Sequence, residues 1–138
     1  MSEAIKITFC LRRLPSLTQA QFLDYWYEKH APLVRRHAAA LRVMRYIQLV
    51  PQQTALSAPM MKARGAPEPF DGVAELWFAS QADLEASLRD KAASAAGREL
   101  IEDEARFIDL RRSPLWFGRE RLVIGASTPV VSLSDSGR

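Results

Sequence analysis

The order in which strand-like and helix-like segments follow one another is the strongest constraint on this chain. Side chains alternate between apolar and polar over three stretches, and this period of two is typical of β-strands. One helical segment lies between the first two stretches, another follows the third, and a final strand is expected within residues 115–124. The predicted strands cover 5–11, 42–50 and 72–79, and the predicted helices 18–41 and 80–106, the second interrupted at Gly97. This order is the split βαβ arrangement of an α+β domain.

The two faces of the predicted sheet differ in polarity. Both helices of such a domain cover one face of a four-stranded antiparallel sheet, and the wholly apolar positions are expected there. These positions are Ile5, Ile7, Phe9, Leu11, Ala74, Leu76 and Phe78. The opposite, mixed face is expected to carry Lys6, Thr8, Cys10, Arg12, Tyr46, Gln48, Val73, Glu75 and Trp77. Nothing from the same chain covers that face, so we expect a second copy to pack against it, with a ligand cavity between the two sheets.

Size and composition indicate a single globular domain. With 138 residues, 48% of them hydrophobic, the chain is long enough for one core and too short for two. We assign residues 1–124 to the domain and 125–138 to a tail that is an arm or disordered. A long loop at 51–71 holds four of the eight prolines, and we interpret it as a lid or an arm.

Charge and cysteine content argue against several classes of protein. The 19 Lys and Arg residues are interleaved with 16 Asp and Glu residues, and no nucleic-acid module accompanies them, so we expect no nucleic acid partner. Cys10 is the only cysteine and the first residues lack a signal-peptide pattern, which predicts a cytoplasmic location. The sequence contains no run of about 18 apolar residues, so we expect no membrane-spanning helix.

The first predicted helix brings a histidine close to a proline. A T-x-x-Q capping box starts this helix at Thr18. Phe22, Trp26 and His30 then recur every four residues, so they share one face of the helix. Pro32 removes a backbone hydrogen bond two residues later, and we expect the helix to kink or restart near Ala31, beside His30.

Three motifs carry a resemblance to a known family. They are DYWYEKHAPLVRRH at 24–37, DGVAELWF at 71–78 and DEARFID at 103–109, and CLRRLPSLTQAQFLDYW at 10–26 also fits. In this order and spacing they resemble the EthD domain family from residue 5 to about residue 124. The resemblance implies a ferredoxin-like βαββαβ fold that forms a dimeric α+β barrel. Similar proteins are associated with ether catabolism in bacteria, with decarboxylation or cyclisation of aromatic polyketides in fungi, and with muconolactone isomerisation.

His30 is the candidate catalytic residue. An imidazole with a pKa of about 6.5 can both accept and donate a proton at neutral pH, and the resemblance implies that role for His30. The alternative is a structural histidine that bonds a carbonyl group near Pro32 or packs beside Trp26. The residues alone leave both interpretations open.

Five further residues are candidates for ligand binding: Arg12, Trp26, Tyr46, Glu75 and Trp77. Strand alternation places Glu75 in the predicted cavity, where loss of water would raise its pKa, but Lys6 or Arg12 could equally neutralise it across strands. Tyr46 could donate a hydrogen bond to a carbonyl or an enolate, or only form a wall. Trp26 and Trp77 offer flat apolar surfaces to an aromatic ligand, or belong to the core.

These residues favour a small dimeric enzyme that transfers protons on a hydrophobic, aromatic or lactone-like molecule. Decarboxylation, cyclisation and isomerisation all fit. His30 and His37 lie seven residues apart without further ligands nearby, so we expect no metal. The sequence contains no glycine-rich phosphate loop and no dinucleotide-binding motif, so we expect chemistry without a cofactor. Two alternatives stay open: a non-catalytic ligand-binding or accessory protein of an oxidative catabolic pathway, and a haem-dependent monooxygenase of related fold.

Overall fold

A four-stranded antiparallel sheet forms the centre of the computed structural model, which describes residues 3–126. The strands are β1 (Ile5–Leu11), β2 (Arg45–Leu49), β3 (Gly72–Phe78) and β4 (Leu115–Gly118). Across the sheet they follow the order β2, β3, β1, β4, which is that of the split βαβ fold. The predicted α+β, ferredoxin-like class is therefore confirmed. Residues 127–138, most of the predicted tail, lie outside the described residues.

Five α-helices accompany the sheet within the described residues. They are α1 (Gln19–Tyr25), α2 (Ala31–Leu41), α3 (Ser57–Arg64), α4 (Gln81–Ser87) and α5 (Lys91–Glu104), with a π-helical turn at Trp26–His30 and a 3-10 turn at Leu110–Arg112. The predicted capping box is present, because the Thr18 hydroxyl accepts from the backbone of Gln21 and the Gln21 side chain accepts from the backbone of Thr18. Within the described part of the chain, no helix has the length and apolar character needed to cross a bilayer.

The π-helical turn joins α1 to α2. In it the backbone N–H of Ala31 donates to the carbonyl oxygen of Trp26, five residues earlier. Residues four apart drift by about 40° around an α-helix, and the wider turn takes up part of this drift. A series at four-residue spacing therefore stays buried: Phe22, Trp26, His30, Val34 and Ala38. The disruption predicted near Pro32 takes the form of this turn, and the proline itself lies in the first turn of α2, where its fixed φ is compatible with the helix.

The core lies between the helices and one face of the sheet. Phe9 of β1 pairs with Ala74 of β3, and both pack with Phe22, Trp26 and Phe107 from the helical layer. A second cluster joins Ile5 and Phe78 to Ala38 and Val43. The prediction that the apolar positions of β1 and β3 meet the helices is confirmed.

β2 presents the opposite faces to those predicted. Tyr46 pairs with Leu76 and Gln48 with Ala74, so both polar side chains face the helices, and their predicted place on the open face is wrong. The polarity of Tyr46 and Gln48 suggested that they lie on the open face, but the pairing register of β2 with β3 determines which face each side chain occupies. Gln48 Nε2 compensates for the burial by donating to the Tyr46 hydroxyl and to the carbonyl oxygen of Trp26, each at 3.0 Å.

Residues 51–71, predicted as a proline-rich loop, contain α3. Pro59 lies within the first turn of this helix, where a proline is tolerated, and Gly65 ends the helix in the left-handed region with φ of 58°. None of the residues of α3 is buried.

The second helical segment breaks earlier than predicted. Asp90 starts α5 by accepting a hydrogen bond from the backbone of Ala92, and α5 continues through Gly97. An interior glycine costs a helix only about 1 kcal/mol relative to alanine, whereas an Asp side chain at a cap position favours a new helix start. The break therefore falls at residues 88–90.

Gly72 lets the first helical segment approach β3 closely. A Cβ atom at this position would lie 2.5 Å from Cζ3 and 2.8 Å from Cη2 of Trp26. Trp26, only 1% exposed, therefore packs directly on the backbone of β3.

Candidate active site

His30 is buried in the domain and bound to a carboxylate. Its Nδ1 atom lies 2.8 Å from Oδ2 of Asp103 on α5, and its ring lies 5.1 Å from the ring of Phe107. The residue is 5% exposed. Because Asp103 occupies Nδ1, Nε2 is the ring nitrogen that can exchange a proton with a bound molecule.

Asp103 is held by two more donors. Its Oδ1 atom accepts from the Tyr25 hydroxyl at 2.6 Å and from the Arg106 guanidinium at 3.1 Å. With His30, three donors thus surround a carboxylate that is 6% exposed. Charge-assisted hydrogen bonds of this kind stabilise a buried carboxylate and fix its orientation.

The protonation states follow from these contacts. Burial lowers the pKa of His30 below its ordinary value, and the hydrogen bond and charge of Asp103 offset this only in part. Burial raises the pKa of Asp103, but hydrogen bonds from Tyr25, His30 and Arg106 outweigh burial and leave that pKa below its ordinary value. At neutral pH Asp103 is charged and His30 is neutral. Nδ1 then donates its proton to Asp103 and Nε2 carries the lone pair of a general base.

A cavity of about 40 Å³ lies beside His30, between the helices and the sheet. This volume holds roughly three water molecules. Most of its walls are aliphatic or aromatic, and its ionisable groups are His30, Tyr46 and Glu104. No Lys or Arg is among its lining residues, all of which belong to the described part of the chain.

Glu104 is the second carboxylate of the site. Burial raises its pKa to about 7, and the neighbouring charge of Asp103 adds to the rise. Among residues 3–126, no hydrogen bond or cation counteracts this shift. Burial also raises the pKa of Tyr46 to about 12, so Tyr46 keeps its proton at neutral pH. The site therefore combines a neutral base with a carboxyl group that is half protonated near pH 7.

The comparison with known families agrees with this fold. The sequence model of the EthD domain matches residues 14–111, well over half of the chain. The chain belongs to the EthD family. No curated protein sequence matches it significantly.

Several solved structures resemble this EthD protein. An EthD family protein from Bacillus halodurans is 19% identical, with a TM-score of 0.56 over 86% of this chain and 99% of that chain. A dimeric protein of ferredoxin-like fold from Bacteroides fragilis is 8% identical, with a TM-score of 0.52 over 86% and 98% of the two chains. SnoaB of Streptomyces nogalater, a cofactor-independent oxygenase, is 10% identical, with a TM-score of 0.53 over 91% and 100%. At these identities the similarity shows the fold and not the reaction.

The predicted site residues of this EthD protein lie on two sides of the sheet. His30, Trp26 and Tyr46 line the cavity on the helix side, whereas Glu75 and Trp77 lie on the open face. The predicted cavity between two sheets is therefore not the one beside His30. The reason is that the helical segment carrying His30 packs on the sheet of its own chain, so one chain encloses the cavity.

Glu75 and Trp77 take part in a charged cluster on the open face. Glu75 forms a salt bridge with Lys6, so the cross-strand ion pair expected as an alternative is confirmed. The Lys6 Nζ atom lies 4.9 Å from the Trp77 ring, and the guanidinium carbon of Arg45 lies 5.1 Å from it. These two cations cover Trp77, which is 4% exposed.

Arg12 lies away from both regions, beyond the end of β1. Its guanidinium donates to the carbonyl oxygen of Pro69 at 2.8 Å, and its central carbon lies 4.1 Å from the Phe70 ring. Arg12 lines a separate polar groove of about 710 Å³. Its contacts attach the end of the 51–71 segment to the sheet.

Asp103 and Glu104 were not predicted as site residues. Both belong to the DEARFID motif at the end of α5, and that motif was the only signal for them in the sequence. Adjacent residues on a helix point about 100° apart, so Asp103 can bind His30 while Glu104 lines the cavity. No group of three or more His, Cys, Asp or Glu residues suited to a metal ion is found within residues 3–126.

Proposed function

We propose that this protein is a small homodimeric enzyme that moves a proton at the carbon next to a carbonyl group, with His30 as the general base. The observation that carries the proposal is the neutral His30 ring, held by Asp103 at the wall of a mainly apolar cavity. A base oriented by a buried carboxylate is a recurring device for proton transfer. The expected ligand is a small hydrophobic molecule, aromatic or lactone-like.

Proton transfer suits the residues present. Decarboxylation, cyclisation and isomerisation next to a carbonyl group share an enol or enolate intermediate, and a positioned base typically accelerates its formation by about 10²–10⁴-fold. The apolar walls favour a hydrophobic molecule. Because the cavity holds roughly three waters as it stands, a ring compound can enter only as the lining side chains move.

Hydrogen–deuterium exchange tests this chemistry without knowledge of the natural substrate. The full chain is incubated in D₂O with enolisable compounds of rising size, from acetone through cyclopentanone and a five-membered lactone to an aryl ketone. NMR follows the loss of protons next to the carbonyl group. We expect exchange with the wild type, a loss of about 10²-fold or more in His30→Gln, and no change in the matched control His37→Gln, since His37 bonds Glu99 at 2.8 Å outside the cavity. Equal exchange by wild type and His30→Gln would refute His30 as the base, and binding without exchange would favour a ligand-binding protein.

The open face of the sheet supports the dimer. It carries Lys6, Thr8, Cys10, Arg45, Ile47, Leu49, Val73, Glu75, Trp77 and Trp116. Of these, Leu49 is 58% and Trp116 50% exposed, and no part of the described chain covers them. The related fold from Bacteroides fragilis belongs to a dimeric protein. Large exposed apolar side chains on a sheet face are typical of a protein interface.

Sedimentation tests the dimer directly. Trp116→Glu places a charge on the open face and is expected to weaken association at least tenfold. Leu88→Glu is the matched control, since Leu88 is 71% exposed and follows α4, away from the sheet. A wild type that sediments as a monomer at micromolar concentration contradicts the proposed homodimer.

A further inference from the structure

Two proton-carrying groups from different parts of the fold line the cavity. His30 comes from the π-helical turn and Glu104 from the end of α5. The hydroxyl of the third ionisable group, Tyr46, accepts a hydrogen bond from Gln48 Nε2 at 3.0 Å and keeps its own proton, because burial raises its pKa to about 12. The hydrogen bonds of Asp103 go to Tyr25, His30 and Arg106. Glu104 is the carboxyl group of the cavity, and no side-chain hydrogen bond of Glu104 is found within residues 3–126, so it can donate its proton to a ligand.

The charges around the cavity restrict the ligand. No Lys or Arg lines it, and the Asp103 carboxylate lies one residue from Glu104. A carboxylate on the ligand would therefore be buried without a cation and beside like charges, which is strongly unfavourable. An uncharged carbonyl compound needs only a hydrogen-bond donor at its oxygen, and a protonated carboxyl group supplies one.

We propose that Glu104 is the general acid of the site, which protonates the carbonyl oxygen of an uncharged ketone or lactone while Nε2 of His30 removes a proton from the adjacent carbon. This inference rests on the proposed function. The C–H bond breaks and its proton passes to Nε2, and the C–H electron pair forms the carbon–carbon double bond of the enol. The O–H bond of Glu104 breaks as its proton moves to the carbonyl oxygen. The products are the enol, a His30 imidazolium and a Glu104 carboxylate, and the reverse transfers restore the catalyst.

The combination of His30 as base and Glu104 as acid predicts that the exchange rate passes through a maximum as the pH rises. The groups that face Glu104 are His30 from the π-helical turn and Tyr46 from β2, with Asp103 beside it on α5. Catalysis needs His30 neutral, so the rate falls in acid as His30 gains a proton. It also needs Glu104 protonated, so the rate falls above pH values of about 7 as Glu104 ionises.

The test uses the full chain and the same exchange assay over a range of pH. Glu104→Gln, which can donate a hydrogen bond but no proton, is expected to lose about 10²-fold in rate and to lose the alkaline fall, while the acid fall due to His30 remains. Glu104→Asp keeps an acid and is expected to recover part of the rate. Glu102→Gln, the same change at an exposed position of α5, is expected to behave as the wild type.

Three probes test how a negative charge on the ligand affects the exchange rate: cyclopentanone, a cyclopentanone carboxylate and the methyl ester of that carboxylate. We expect exchange of the ketone and the ester and at least tenfold slower exchange of the carboxylate. Unchanged rate and pH profile in Glu104→Gln, or faster exchange of the carboxylate than of its ester, overturns this inference and leaves His30 as the base. Absence of exchange in the wild type with every probe overturns the proposed function as well. Circular dichroism of each variant checks that a loss of rate does not come from unfolding.

Discussion

Replacing Glu104 with Gln is expected to stabilise the folded protein in neutral and alkaline solution, and much less in acid. The pKa of Glu104 is raised by burial from 4.5 to about 7 in the folded protein. The folded state therefore holds this proton more tightly than the unfolded state. As the pH rises from about 4.5 towards 7, the unfolded chain loses the proton first, and the free energy of unfolding decreases.

The magnitude follows from the size of the shift. A rise from 4.5 to about 7 corresponds to about 3 kcal/mol of lost stability once both states are ionised, at about 1.4 kcal/mol for each tenfold change. At pH 5 the loss is only about 1 kcal/mol, because the unfolded chain is then still partly protonated. Glutamine cannot ionise, so Glu104→Gln avoids this loss at every pH.

Urea unfolding at fixed protein concentration, repeated between about pH 5 and pH 9, measures the difference between wild type and variant. With a slope of about 2 kcal/mol per molar urea, the midpoint of Glu104→Gln should lie roughly 1.5 M above that of the wild type in alkaline solution. Glu102→Gln controls for the loss of one negative charge on α5 at an exposed position. If the gain of Glu104→Gln over the wild type is the same at all pH values, or equals that of Glu102→Gln, the pKa of Glu104 is not raised in the folded protein.

Three further substitutions test the packing and the network. Gly72→Ala should lower the free energy of unfolding by about 1–3 kcal/mol, because its Cβ would lie 2.5 Å from Trp26. If urea unfolding gives this variant the same free energy of unfolding as the wild type, the side chain of Trp26 moves away from the added Cβ at no cost. Gly97→Ala, with no atom within 4 Å of the added Cβ, should instead raise the free energy of unfolding by about 0.5–1 kcal/mol, and a loss in the same assay would contradict the open space seen there. Tyr25→Phe removes the 2.6 Å bond to Asp103 and should cost about 1–3 kcal/mol while raising the pKa of Asp103, which carbon NMR of the carboxyl group detects; an unmoved titration would exclude Tyr25 from the network.

Local sequence patterns predicted most of the secondary structure. The alternation in β1 and β3 and the capping box at Thr18 each depend on neighbouring residues, and each was confirmed. The helix in residues 57–64 was missed because Pro59 and its neighbours suggested a loop, although a proline in a first turn is compatible with a helix. The break before α5 was placed at Gly97 for a similar reason, since glycine is a weaker helix signal than a capping Asp90.

Only part of the candidate site could be predicted from the sequence. His30 could be selected from its motif and from the general chemistry of imidazole, but its partner Asp103 lies 73 residues further along the chain. No spacing rule relates two residues so far apart. Tyr46 was placed on the wrong face, because its polarity suggested the open side of the sheet while pairing with Leu76 turns it towards the helices.

By itself, the sequence determined the α+β class, the order of strands and helices along the chain that is typical of the split βαβ fold, and the buried face of the first helical segment, because each follows from the periodicity of nearby side chains. Tertiary structure alone decided that the cavity lies within one chain, that Asp103 orients His30 and that Glu104 lines the cavity, with no side-chain hydrogen bond within residues 3–126. Those features depend on strand register and on the packing of α5 against the π-helical turn. Such packing joins residues whose separation along the chain carries no local signal.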